Sequence, residues 1–184
     1  MPAAIDKIIC FAFKKNNSNQ SRIIAIDLND EFEINLADPI ELADNVWTNY
    51  VRGVLKQLKA GGFEFEGFNC VFSSNIPVGS GLSSSALECG FLYGLNELFN
   101  LNIKPVDIAL MGQSAEHWVG INCGIMDQFS SVMGQENKVI KIDCRTLEYE
   151  YHNAAFNDYS LILFDSNVKL DMQIKPAVLV KQHF

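Results

Sequence analysis

The pattern of apolar and polar positions divides the first part of the chain into extended stretches separated by polar ones. Residues 5–13 are rich in Ile and Phe, residues 22–28 contain Ile23, Ile24 and Ile26, and residues 32–36 alternate between apolar and polar side chains. The segments between them are rich in Asn, Ser and Asp, as turns are. We therefore expect three strands here, arranged as an antiparallel meander.

Helical spacing begins near residue 45 and recurs further along the chain. Val46, Tyr50 and Val54 follow one another at four-residue intervals, which predicts a helix over residues 45–58. Further helices are predicted over residues 83–99, 105–118 and 126–133, and further strands over 67–73, 139–142, 149–151 and 159–164. Because strands come before, between and after the helices, the expected fold class is α+β.

Composition and charge exclude several classes of protein. The chain has 184 residues, of which 48% are apolar and 20% charged, as is ordinary for about one globular domain. Lys and Arg number 14 against 22 acidic residues, a net charge of −8, which argues against a nucleic-acid partner. No run of about 18 apolar residues predicts a membrane span, so we expect no membrane partner.

Cysteine usage and the start of the sequence favour a cytoplasmic protein. The five cysteines are widely spaced and form no Cys-x-x-Cys pair, which argues against a disulfide framework and a structural zinc site. We expect them to be small apolar side chains in a reduced compartment. Asp6 and Lys7 interrupt the first apolar run, which argues against a secretion signal.

A Gly- and Ser-rich segment, residues 75–86, joins a predicted strand to a predicted helix. It reads Asn-Ile-Pro-Val-Gly-Ser-Gly-Leu-Ser-Ser-Ser-Ala. Glycine lets the backbone approach a ligand closely, and the free N–H groups at a helix start attract anions. These features predict phosphate binding, although the segment is neither a Gly-Lys-Ser/Thr P-loop nor the three-glycine dinucleotide fingerprint. The alternative is an ordinary turn with a serine N-cap.

Two acidic residues, Glu116 and Asp127, lie eleven positions apart on either side of a Gly-containing bend. A carboxylate at a helix end can bind Mg²⁺ beside nucleotide phosphates. A second carboxylate near a sugar hydroxyl can orient that hydroxyl or accept its proton. The alternative is a pair of surface carboxylates with no shared role. His117, next to Trp118, is expected to be a packing residue rather than a ligand.

Two of these segments together resemble a known family. Residues 77–86, Pro-x-Gly-x-Gly-Leu-Ser-Ser-Ser-Ala, resemble the nucleotide loop of the GHMP small-molecule kinases. Residues 122–128, Asn-Cys-Gly-Ile-Met-Asp-Gln, are similar to a motif of one branch, the galactokinases. Shorter matches extend the resemblance over residues 3–169. It implies an incomplete N-terminal domain of a GHMP kinase, an α+β fold like domain 2 of ribosomal protein S5, with a left-handed β-α-β unit.

The resemblance also implies an activity and roles for particular residues. The activity is phosphorylation of the C1 hydroxyl of galactose by ATP with Mg²⁺, in which positioning and charge neutralisation dominate. Asp127 would be the catalytic residue beside that hydroxyl, as base or as electrostatic orienter, and Gly124 would line the sugar with it. Ser85 and Glu116 would hold Mg²⁺. The implied nucleotide contacts are Pro77, Gly79, Ser80, Gly81, Leu82, Ser83, Ser84 and Ser85, with Trp47 and Tyr50 near the base.

The chain departs from the family pattern at both ends. The family signature Gly-Glu-His-Thr-Asp-Tyr is missing before the first matching segment, and residues 170–184 do not resemble the family continuation. We therefore expect residues 1–169 to be a partial N-terminal domain, residues 170–184 a divergent tail, and the C-terminal domain to be absent. Apolar surface left by a missing domain would favour self-association.

These departures leave several hypotheses for the chain itself. The first is a galactokinase whose activity is impaired or lost. Others are a non-catalytic remnant or sensor that binds ATP and sugar, and a kinase of another sugar such as N-acetylgalactosamine. The link after the Glu116–His117 pair is one residue shorter than in the family. Such a change at a helix end can rotate Glu116 by about 100°.

Overall fold

The computed structural model describes residues 1–77 and 83–154. Its strands are β1 (Ile9–Lys15), β2 (Gln20–Ala25), β3 (Asp30–Asn35), β4 (Phe68–Ser74), β5 (Lys138–Ile142) and β6 (Tyr149–Asn153). Its helices are α1 (Val46–Ala60), α2 (Ser83–Phe99), α3 (Pro105–Val119) and α4 (Met126–Met133), with a short 3-10 turn at Ile26–Leu28. The α+β class is confirmed. The strand predicted over residues 159–164 lies outside the described residues.

The prediction that the first three strands form an antiparallel meander is wrong, because β1 and β2 are not neighbours in the sheet. The sheet order is β1-β4-β2-β3, so β4 lies between β1 and β2. β2 and β3 do form an antiparallel pair, with Ile23 opposite Phe32. β4 follows α1 in the chain and runs antiparallel to β1 but parallel to β2. A polar segment between two strands predicts that the chain turns there, but it does not predict which strand becomes the neighbour.

The helices pack against the sheet through a core rich in aromatic side chains. Phe91 of α2 lies fully buried between Phe13 of β1 and Phe68 of β4, with ring centroids 5.5 and 5.8 Å away. Gly94 makes this approach possible, because a Cβ there would overlap the ring of Phe13. α2 therefore lies directly on β1, which fixes the position of its first turn relative to the sheet.

A second, smaller group of buried residues lies under α3 and α4 and next to the β5–β6 pair. It consists of Ala109, Ile125, Phe129 and Ile140. The N-terminal segment is tied to this region, because the backbone N–H of Ile140 donates to the carbonyl of Pro2 at 2.8 Å.

Three helix ends meet beside this second group: the first turn of α2, the last turn of α3 and the first turn of α4. α3 ends at Gly120, whose φ of 103° only glycine adopts readily. None of the helices within residues 1–77 and 83–154 is long and apolar enough to cross a membrane.

Candidate active site

A cavity of about 460 Å³ lies between the N-terminal segment, α2 and α4. This volume is in the range of small-molecule sites. Apolar side chains such as Ile5, Ile9 and Ile76 form part of its wall. Its polar side chains are Lys7, Ser85, Asp127, Ser130 and Ser131, which we call the outer layer. The fold thus brings Ser85 and Asp127, two residues singled out from the sequence, into one cavity.

Asp127 is exposed in the first turn of α4. A carboxylate at this position interacts favourably with the positive end of the helix dipole. Gly124, just before the helix, is also exposed and has open space on its side-chain side. Asp127 lines the cavity, whereas Gly124 is exposed beside the helix start and is not among the residues that line the cavity, so its contact with a sugar stays a prediction.

A second set of polar side chains lies behind the cavity and is buried. It comprises Ser84, Glu88, Glu116 and Gln128, which we call the inner layer. Glu116, only 2% exposed, accepts a hydrogen bond from Ser84 Oγ at one carboxylate oxygen and from Gln128 Nε2 at the other, both at 2.7 Å. Both donors are neutral, and among the described residues no cationic side chain forms an ion pair with Glu116.

Glu88 has the most isolated polar side chain of the inner layer. It is fully buried, and neither of its carboxyl oxygens has a hydrogen-bond partner among the described residues. Burial, and then the charge of Glu116, raise the pKa of Glu88 to about 10. Glu88 is therefore neutral near pH 7. Burial and the same two acidic side chains also raise the pKa of Tyr50 on α1.

The donor chemistry of the inner layer fits a divalent cation. The described residues contain no group of three or more His, Cys, Asp or Glu side chains that could cage a metal. Mg²⁺ beside phosphates needs only one or two protein oxygens. The buried carboxylate of Glu116 has two neutral donors and no counter-charge, an environment that a cation would stabilise. The structure joins Glu116 to Ser84 and puts Ser85 in the cavity wall, so the pairing of Ser85 with Glu116 on Mg²⁺ stays a prediction.

Part of the predicted phosphate loop lies outside the described residues: Gly79, Ser80, Gly81 and Leu82. Pro77 is exposed before this gap, and Ser83 begins α2 after it. The strand that leads into the loop is held firmly, because the Asp27 carboxylate accepts hydrogen bonds from Ser73 Oγ and from the backbone N–H of Ser74.

Trp47 and Tyr50, predicted near the nucleotide base, lie on α1 and are half-buried. The Trp47 indole packs edge-on against Phe32 and Phe72, and its Nε1 donates to Asp30 at 2.8 Å. This hydrogen bond is the main reason that the pKa of Asp30 is lowered. The indole therefore has a packing role in this fold, and its contact with a base stays a prediction.

Sequence reasoning missed Glu88 and Gln128. A signal for Glu88 exists, since it is the sole charged residue among the first fourteen of α2 and stands in a mostly apolar stretch. The bend before α4 is held by Gln113 and His117, whose side-chain nitrogens lie 3.2 and 3.0 Å from the carbonyl oxygen of Cys123. His117 thus contacts the backbone of the bend, and no sequence pattern predicted that contact.

Comparison with known proteins bears on the family and the fold of the chain. Residues 49–135 match the family model described as "GHMP kinases N terminal domain". A galactokinase of Actinobacillus pleuropneumoniae is 41% identical over 175 residues, which cover 94% of this chain and 45% of the relative. A galactokinase of Clostridium beijerinckii is 46% identical over 141 residues, covering 74% of this chain and 36% of the relative.

Solved structures of kinases also match the fold of this chain. The galactokinase of Lactococcus lactis in complex with galactose matches with a TM-score of 0.78 and 33% identity, covering 85% of this chain and 42% of that one. The Methanococcus jannaschii mevalonate kinase, at 18% identity and a TM-score of 0.65, shares the fold alone. Residues 49–135 thus match part of the N-terminal domain of the GHMP kinases, and the fold resembles that of a galactokinase. The chain is similar to galactokinases over most of its own length.

Proposed function

We propose that this chain forms the nucleotide-facing part of a sugar kinase that transfers the γ-phosphoryl group of ATP to the C1 hydroxyl of galactose. The observation that carries the proposal is the shared cavity of Ser85, at the start of α2, and Asp127, at the start of α4. A helix start favours the phosphates of a nucleotide. A carboxylate in the same cavity can act on the hydroxyl that attacks them.

In the proposed reaction, a bond forms between the sugar oxygen and the γ-phosphorus while the bond to ADP breaks. Asp127 orients the sugar hydroxyl and either accepts its proton or stabilises the charge as the proton leaves to solvent. The backbone at the start of α2 and the hydroxyl of Ser85 hold phosphate oxygens. Ser85 and Glu116 would hold Mg²⁺, which would supply positive charge against the phosphates. Most of the rate enhancement then comes from positioning.

The chain spans about half the length of the curated relatives it matches, 45% in the Actinobacillus pleuropneumoniae case. We therefore expect the 184-residue polypeptide, assayed alone, to show little or no turnover. Residues of a relative that lie outside the matched part would have to complete the cleft, because a half-built site loses both positioning and charge stabilisation.

A chimaera tests the proposal directly. Residues 1–153 of this chain would replace the matching segment of the Actinobacillus pleuropneumoniae galactokinase. ADP release would then be followed with galactose, N-acetylgalactosamine, mevalonate and homoserine as separate acceptors. We expect turnover with galactose, and a loss of 10²- to 10⁴-fold in the Asp127→Asn chimaera, the usual contribution of a general base.

The other acceptors separate the competing hypotheses. Turnover on N-acetylgalactosamine in place of galactose would assign a different sugar to the same site. A folded chimaera that binds ATP and galactose but turns over neither sugar would favour the non-catalytic hypothesis. Full activity in the Asp127→Asn chimaera would remove the role given to Asp127.

A further inference from the structure

We propose that Gln128 is a positioning residue, which holds the carboxylate of Glu116 in the orientation that a metal–nucleotide complex requires. This inference rests on the proposed function, since it concerns the same nucleotide site. Neither Gln128 nor Glu116 lines the cavity, so Gln128 would act on the site through the carboxylate of Glu116 behind the cavity wall.

The first support is the place of Gln128 where α2, α3 and α4 meet. Its side chain is fully buried, and Nε2 donates to Glu116 Oε2 at 2.7 Å and lies 3.5 Å from Cys123 Sγ. Its backbone carbonyl accepts from Cys89 Sγ of α2 at 3.9 Å. Gly112 of α3 leaves room for the thiol of Cys89, because a Cβ there would lie 2.8 Å from Cys89 Sγ. One side chain thus contacts the bend and α3, while its backbone contacts α2.

The second support is the way the carboxylate of Glu116 is held. A carboxylate offers about four lone-pair sites, and its terminal torsion is broad. Ser84 and Gln128 each occupy one site on opposite oxygens, which fixes the plane of the group and leaves further lone pairs for a cation. With Ser84 alone, the carboxylate could rotate about a single hydrogen bond.

The third support is that Gln128 follows Asp127 directly on α4. Consecutive helix residues point about 100° apart, so one faces the inner layer and the other the cavity. The hydrogen bond of Gln128 to Glu116 therefore also fixes the rotation of α4 and, with it, the position of Asp127. This one hydrogen bond would therefore position the carboxylates of both Glu116 and Asp127.

The test measures how strongly Mg²⁺ tightens ATP binding, which a purely structural role of Gln128 would not change selectively. Titration calorimetry gives the Kd of ATP with Mg²⁺ and with EDTA for the 184-residue chain. In Gln128→Met, we expect the tightening by Mg²⁺ to shrink about tenfold or more, as is usual when a partner of a metal ligand is lost. The Kd without metal should stay within about twofold of wild type, since the phosphate contacts remain.

A swapped variant separates positioning from folding. Glu116→Gln/Gln128→Glu keeps one carboxylate, one amide and the hydrogen bond between them, but moves the charge from α3 to α4. We expect it to fold as well as the wild type and still to lack the tightening by Mg²⁺. If Gln128→Met does not fold, the swapped variant still tests whether the carboxylate must stand at position 116, and retained tightening by Mg²⁺ in it would overturn the proposal.

The matched control is Gln113→Met, since Gln113 contacts the same bend but not Glu116. It should keep the wild-type response to Mg²⁺. The proposal is overturned if Gln128→Met or the swapped variant binds ATP with the wild-type tightening. If the wild-type chain binds no ATP with or without Mg²⁺, the proposed function fails as well. If it binds ATP more tightly with Mg²⁺ and Gln128→Met does too, only the role of Gln128 fails.

Discussion

The outer and inner layers of the candidate active site contain the same kinds of side chain in opposite environments. Each layer holds a serine from the first turns of α2 and a carboxylate from a neighbouring helix. Asp127 of the outer layer is exposed at the cavity, whereas Glu116 of the inner layer is buried and bonded on both oxygens. The outer layer is therefore available to a ligand, and the inner layer is fixed by the protein itself.

Helix geometry explains how neighbouring residues separate into these two layers. Ser84 and Ser85 are adjacent on α2, yet Ser84 bonds to Glu116 and Ser85 lines the cavity. On α4, likewise, Asp127 lines the cavity and the adjacent Gln128 bonds to Glu116. The comparison indicates that substitutions in the inner layer change the stability of the fold and, at Gln128, also the response to Mg²⁺. Substitutions in the outer layer should change ligand binding and leave stability almost unaltered.

The largest effect on stability is expected for Gln128→Met. The variant removes a donor to a buried charge, and hydrogen bonds to charged groups contribute about 1.5–3 kcal/mol. We expect the free energy of unfolding, measured by urea denaturation, to fall by about that amount. Gln57→Met is the control, because Gln57 donates to the exposed Ser114 carbonyl at 3.3 Å and should change stability by less than about 0.5 kcal/mol. Equal losses in both variants would contradict the division into layers.

The next effect is a gain of stability in Glu88→Met. The buried carboxyl of Glu88 has no partner among the described residues, and leaving a polar group in that state costs about 1–3 kcal/mol. Met has a similar shape and no polar atom to satisfy, so the unfolding free energy should rise by roughly 1–2 kcal/mol near pH 5. A loss of stability would show that Glu88 has a partner that the folded protein needs.

The gain from Glu88→Met should also depend on pH. The pKa of Glu88 is about 10 in the folded chain, against an ordinary value of 4.5. Between these values the folded chain keeps a proton that the unfolded chain has lost, so raising the pH lowers the stability of the wild type. The methionine side chain of the variant carries no such proton. Urea denaturation of both proteins between pH 5 and 8 should therefore show an advantage of the variant that grows with pH, and a constant difference would contradict the assigned pKa.

The smallest effect on stability is expected for Asp127→Asn in the outer layer. Asp127 is exposed, and surface substitutions of this kind change the unfolding free energy by about 0.5 kcal/mol or less. Thermal denaturation of the wild type and the variant should give nearly the same midpoint. A loss comparable to that of Gln128→Met would mean that Asp127 belongs to the fixed part of the site.

The sequence predicted the elements well because each has a clear apolar period and a marked end. It could not predict the insertion of β4 between β1 and β2, since strand order depends on contacts between distant segments. The assignment of the serines shows a similar limit. Three serines in a row all fit a phosphate-binding helix start, and only the rotation of α2 relative to α3 decides that Ser84 contacts Glu116.

Two further residues mark where sequence patterns stopped being informative. Gln128 belongs to the segment that resembles the family motif, but nothing in its type indicates that it bonds to a residue twelve positions earlier. Trp47 was predicted near a nucleotide base, and the fold gives its indole the packing partners Phe32 and Phe72. Both contacts depend on tertiary structure that local patterns do not encode.

The central claim is that the outer layer is a ligand site for a metal–nucleotide complex and a sugar. The most direct measurement is a two-dimensional ¹H–¹⁵N NMR titration of the chain with Mg²⁺-ATP and then galactose. The claim predicts that ATP first shifts the amide signals at the start of α2, and that galactose then shifts those of Gly124 and Asp127, while signals of the β5–β6 pair stay unchanged. Saturating ligands that leave the α2 and α4 signals unshifted, or that shift only the β5–β6 pair, would contradict it.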